Sequence, residues 1–86
     1  MRVRVSSALY SYTDGQAEVE ASGDTLGAVL EDLDRRHPGL RFRVVDERGA
    51  VRRHIKLFLD QQHCDDLAAS LEGVDTVHVI TALSGG

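Results

Sequence analysis

The only group in this 86-residue chain whose position alone suggests covalent chemistry is its last, the carboxylate of Gly86, which follows Leu83, Ser84 and Gly85. Two glycines carry no side chains and accept nearly any backbone angle, so such an end can thread a narrow channel that a bulkier residue would block. An α-carboxyl with an ordinary pKa of about 3.3 to 3.7 is an anion at neutral pH. It can attack the α-phosphate of a nucleotide and become an acyl-adenylate. Gly86 is then the reacting residue and Gly85 supplies clearance. Everything upstream reads as a small rigid handle presenting this tail, with residues 1–82 as the folded domain and 83–86 as the tail.

Other chemistry is thinly represented. His63, Cys64 and Asp65, even with His54 or His78, show no recognised metal-ligand spacing, so no metal is expected. Cys64 lies beside Asp65 and Asp66, whose charge opposes thiolate formation, and an idle thiol is the expectation. One cysteine cannot form an internal disulfide, and no N-terminal apolar run resembles a signal peptide or a membrane span, which predicts a cytoplasmic protein without a membrane partner. No glycine-rich phosphate loop is present, so no bound cofactor is expected.

Charge is unevenly spread. The net charge is -4, yet residues 35 to 56 hold eight basic and two acidic side chains, and the remainder holds two basic and twelve acidic. Arg41, Arg43, Arg48, Arg52 and Arg53 form the basic cluster. With almost no aromatic stacking partners, nucleic acid is not the expected partner; a solvated face or a dock for an acidic protein is.

The handle can be drawn from periodicity. From Met1 to Tyr12, Val3, Val5, Ser7 and Leu9 alternate with Arg2, Arg4 and Ser6, the period of a half-buried strand. Thr13-Asp14-Gly15 turns the chain, and Ala17, Val19 and Ala21 alternate on the way back, predicting an antiparallel hairpin. Asp24 or Thr25 caps a helix whose Leu26, Val29, Leu30 and Leu33 form one apolar stripe, with Glu31, Asp32, Asp34 and Arg35 on the other face. Pro38-Gly39 ends it.

Leu40 to Val45 is β-branched and aromatic enough for a strand, and Asp46-Glu47-Arg48-Gly49 turns it back. From His54 to Asp60 a clearer strand places Ile55, Leu57 and Leu59 opposite His54, Lys56 and Phe58. Leu67 to Leu71 is a short helical turn or a short edge strand. Thr76 to Ala82 is the last strand and runs into the tail. One helix across a mixed sheet, with the first and last strands as a parallel central pair, is the economical packing of this order. It defines an α+β fold of β-grasp, or ubiquitin-like, architecture.

At this point the sequence resembles the MoaD/ThiS family of sulfur-carrier proteins over nearly its whole length. The resemblance rests on Asp24-Thr25-Leu26-Gly27-Ala28-Val29-Leu30 opening the helix, Pro38-Gly39-Leu40 closing it, Arg53-His54-Ile55-Lys56-Leu57-Phe58-Leu59 in the middle strand, and Asp75-Thr76-Val77-His78-Val79-Ile80 leading to Gly85-Gly86. It implies a carrier, not an enzyme. A partner related to ubiquitin-activating enzymes would use ATP to adenylate Gly86, and sulfur delivery would leave a terminal thiocarboxylate for a sulfur-accepting enzyme that builds cysteine, another thio-metabolite or a cofactor.

Strand parity puts Phe58 and Ile80 on the solvent face, with Leu83 just beyond, as the expected docking residues. The alternative is that Phe58 and Ile80 belong to the core or are singly exposed. Rival functions are a protein modifier forming isopeptide bonds, the small subunit of a molybdopterin-synthase-type complex, and a plain interaction module.

Overall fold

A computed structural model describes residues 1–82. Its strands are β1 (Arg2–Val5), β2 (Glu18–Glu20), β3 (Ile55–Leu59), β4 (Gln62–His63) and β5 (Thr76–Thr81), and its helices are α1 (Leu26–Arg36) and α2 (Leu40–Val44). The five strands form one mixed sheet in the order β2-β1-β5-β3-β4. β1 and β5 are the parallel central pair, with Val3 opposite Val77 and Val5 opposite Val79. The other pairings are antiparallel. This is the β-grasp arrangement.

The α1 stripe is the core's largest single contribution. Leu26, Val29, Leu30 and Leu33 are all buried and join Val3, Val5, Leu57, Val77 and Val79 in one cluster. Burying a side chain of that size stabilises the fold by roughly 1.5 to 3 kcal/mol. Thr25 is the cap, its Oγ1 accepting the Ala28 N–H at 3.2 Å. The segment from Leu67 to Leu71 completes the job, since the Leu67 and Ala69 carbonyls accept the Gly27 and Leu26 N–H groups at 2.8 and 3.0 Å. A helix start leaves four N–H groups unpaired, and here a distant loop takes two of them. That loop is neither helix nor regular edge strand: it is a turn followed by one bridge, Ser70 to Thr25.

Two expectations about secondary structure are corrected. β1 stops at Val5, and Ser7–Tyr12 is a 3-10 helix. Its first bond runs from the Leu9 N–H to the Ser6 carbonyl, and Leu9 still reaches the core from this helix. The segment from Leu40 to Val44 is helix, because Leu40 and Val44, four residues apart, are the two that bury while Phe42 turns outward. Gly39 makes the break before it at φ +94°, a left-handed conformation that suits glycine.

Asp32, expected on the wet face of α1, is 8% exposed. Its Oδ2 accepts the Ser22 N–H at 2.8 Å, and Arg35 and Arg36 reach it at 2.9 and 2.8 Å. The hydrogen bond from Ser22, with those of the two guanidinium groups, holds this carboxyl below its ordinary pKa against the opposing effect of burial. No described helix is long and apolar enough to cross a membrane.

Candidate functional site

Gly86, Gly85 and Leu83 lie outside the described residues; what the structure shows is where their strand ends and how it is held. β5 sits between β1 and β3, hydrogen-bonded on both sides. At its end the Thr81 N–H donates to Ser6 Oγ at 2.9 Å, and the Ala82 N–H donates to the His54 carbonyl at 2.6 Å. The end of β5 is therefore tied to the segments of both neighbouring strands.

The sheet face away from α1 carries the side chains that strand parity nominated. Ile80 is 41% exposed and Phe58 is half-buried. They share an open groove of about 480 Å³ with Asp60, Gln61, Thr76 and His78. Register explains the grouping, because Phe58 pairs with His78 across the β3–β5 ladder and Ile80 is two residues further along the same face. Lys56, the only lysine, stands directly across from Ile80.

His78 and His63 were not singled out by sequence for this face, yet His63 pairs with Phe58 from β4, ring centroids 5.4 Å apart. The parity of β5 already set His78 beside Ile80; nothing local marked β4. Towards β2 the same face becomes ionic: Glu18 accepts from Arg2 and Arg4 at 3.3 and 3.5 Å. The open face thus has an apolar half beside the tail's strand and a charged half away from it.

Asp60 frames the far end of the groove. At φ +55° it closes the turn after β3, and its carboxylate accepts the Asp75 and Thr76 N–H groups at 3.1 and 2.9 Å. No sequence motif marked that role. A wider groove of about 820 Å³ beyond this turn includes Cys64, which is half-buried with Sγ 3.8 Å from the Asp66 carbonyl. Among the described residues no three His, Cys, Asp or Glu side chains gather where they could hold a metal ion.

A β-grasp sheet with a half-apolar open face and a last strand tied at its end defines a ubiquitin-like domain. The family model described as the ThiS family matches residues 3–86, and the chain belongs to that family. It is 34% identical to the sulfur carrier protein CysO of Mycobacterium tuberculosis, an alignment spanning 98% of this chain and 96% of that one.

The crystal structure of Mycobacterium tuberculosis CysO superposes with a TM-score of 0.87 at 31% identity, over 95% of this chain and 98% of the other. CysO in the Amycolatopsis orientalis BexX/CysO complex gives 0.88 at 28% identity, over 99% and 98%. SAMP1 from Haloferax volcanii, at 24% identity and a TM-score of 0.77 over 99% of this chain and 97% of that one, shares the fold. The CysO relatives are named sulfur carrier proteins, and a sulfur-carrier role is what this likeness supports.

Proposed function

We propose that Gly86 is the sulfur-carrying residue. An activating enzyme that binds ATP brings the Gly86 carboxylate to the α-phosphate; the carboxylate oxygen forms the new bond to phosphorus and pyrophosphate leaves. A sulfide-level donor then attacks the acyl carbon and expels AMP, leaving a terminal thiocarboxylate. Ionised sulfur in that group is a soft nucleophile, so the carrier holds sulfur ready for transfer without releasing it as free sulfide. The chain itself contributes no acid or base to these steps. Gly85 keeps the approach clear of side chains, and the sheet holds the tail's root.

The observation that carries this reading is membership of the ThiS family through residue 86. Phe58 and Ile80, with Leu83 ahead of the glycines, serve as the docking contacts for the activating and sulfur-accepting partners. A CysO relative forms a complex with BexX, and this chain is read as assembling in the same manner with an enzyme that takes up its tail.

The test is coexpression with a competent activating enzyme and a sulfur source, followed by intact-mass measurement. The expected result is one oxygen-for-sulfur exchange at the C-terminus. Removing Gly86 abolishes it and leaves the thermal transition unchanged. An unaltered mass with the partner active sinks the reading, and conjugates of higher mass in its place point to a protein modifier.

A further inference from the structure

The strongest unexplained surface lies beside the tail's root, on the basic segment. Phe42 is 55% exposed, the largest exposure of any bulky apolar side chain among the described residues. It is not loose. The Arg52 guanidinium carbon lies 4.6 Å from the ring centroid, and Arg52 Nε donates to the Phe42 carbonyl at 2.8 Å. The Arg52 N–H donates to the Val44 carbonyl at 2.9 Å, so this pair is fixed to α2 from two directions.

The same arginine leads into β3, the strand beside β5. Its carbonyl accepts the Ile55 N–H at 3.0 Å, and two residues on, the His54 carbonyl accepts the Ala82 N–H. Arg43, Arg48, Arg53 and His54 are exposed along the same segment. Of the two acidic residues there, Asp46 turns its carboxylate onto the Arg48 and Ala50 N–H groups at 2.9 and 3.0 Å. Only Glu47 opposes the arginines outwardly.

We propose that the Phe42–Arg52 pair and its flanking arginines form a cationic docking platform at the base of the tail, which receives an acidic surface of the protein that takes up the tail. The proposal rests on the tail-presenting function above and names the chemistry of the partner. Charge complementarity selects the occupant. A nucleic acid would need an aromatic face on which a base can stack, and the exposed Phe42 ring is already stacked by Arg52. A second copy also carries an acidic surface outside residues 35–56, and self-association through it would show as concentration-dependent shifts without any probe. An acidic rim around a tail-binding channel meets the platform and the tail together, and a cation–π pair held in place by backbone bonds loses little freedom on docking.

The experiment is an amide chemical-shift titration of the labelled full-length protein with oligoglutamate, and separately with an oligothymidine of equal charge, at near-physiological salt. Oligoglutamate should move Phe42, Arg52, Arg53 and His54, with affinity falling steeply as salt rises. Arg52→Glu, or Arg53→Glu where the loss of the Phe42 contact disturbs folding, should weaken it roughly tenfold, as expected for charge reversal at a steering surface. With the activating enzyme, the same substitutions should raise KM for the carrier and leave kcat intact.

Shifts elsewhere on the chain, unchanged binding by both variants, tighter binding of oligothymidine, or concentration-dependent shifts at these residues without probe each overturn the proposal. Oligoglutamate binding to a wild-type chain that never gains sulfur overturns the Gly86 reading and leaves the platform standing.

Discussion

The two faces of one sheet meet opposite demands. Towards α1, Val3, Leu57, Val77 and Val79 are essentially without solvent contact and share one core cluster with Leu26, Leu30 and Leu33. On the other side, Arg4, Lys56, Phe58, His78 and Ile80 stand at alternate positions of the same strands with no helix over them. A residue's energetic role here is set by a single step along the backbone. Substitutions on the covered face should therefore act on folding, and those on the open face on association.

The sharpest break of this contrast is Leu57→Ala. Leu57 is fully buried in β3, so its loss removes transfer energy and leaves a cavity, costing about 2 to 5 kcal/mol. Denaturant unfolding should show this as a lower midpoint with an unchanged slope. Gly23→Ala should cost less, roughly 1 to 3 kcal/mol, by overpacking. A Cβ there meets the Val29 nitrogen at 2.7 Å and the Ala28 carbonyl carbon at 2.9 Å, both backbone atoms of α1 that cannot swing away. A Tm equal to wild type would show that the helix start can shift without cost.

Asp32 sharpens the contrast from the edge of the core. Its folded pKa lies below the ordinary value of 3.8, chiefly through the Ser22 N–H and then through Arg35 and Arg36. A carboxyl that binds its proton less readily when folded stabilises the protein at pH values above its unfolded pKa, and that contribution is lost as pH falls through the folded value. Asp32→Asn should lower the urea midpoint at neutral pH, and the gap to wild type should narrow on acidification below about 3.8. A gap independent of pH would assign the loss to packing instead of charge.

These residues also show why some of the fold was legible in sequence and some was not. α1 was readable because four apolar residues at helical spacing all bury, and β3 and β5 because alternation survives wherever a strand is covered on one side. Leu40 to Val45 misled through composition: its β-branched and aromatic residues suit a strand, yet Phe42 is exposed and the helical pair Leu40 and Val44 carries the burial. Asp32 looked solvated because its partner, the Ser22 N–H, is a backbone group ten residues earlier that leaves no mark in side-chain pattern. Phe58 and Ile80 were placed on one face by parity, but His63 joins them only through β4, whose two residues are too few to show a period.

The smallest effect on folding, and the most informative one, is expected at that pair. Ile80 is partly exposed across from Lys56, so Ile80→Ala should cost less than a core truncation, about 0.5 to 1.5 kcal/mol. Phe58→Ala loses the His63 ring contact, about 0.5 to 1.5 kcal/mol, together with the area that half-buried Phe58 covers, and should cost more. Both should nonetheless slow sulfur loading well beyond what the folded fraction explains, because exposed apolar side chains grouped in one groove repay burial only when a partner covers them. Loading rates at subsaturating activating enzyme, set beside the unfolding midpoints of the same two variants, separate the cases. Full loading activity in both would return this half of the sheet to the status of an ordinary surface and leave recognition to the tail and the residues around its root.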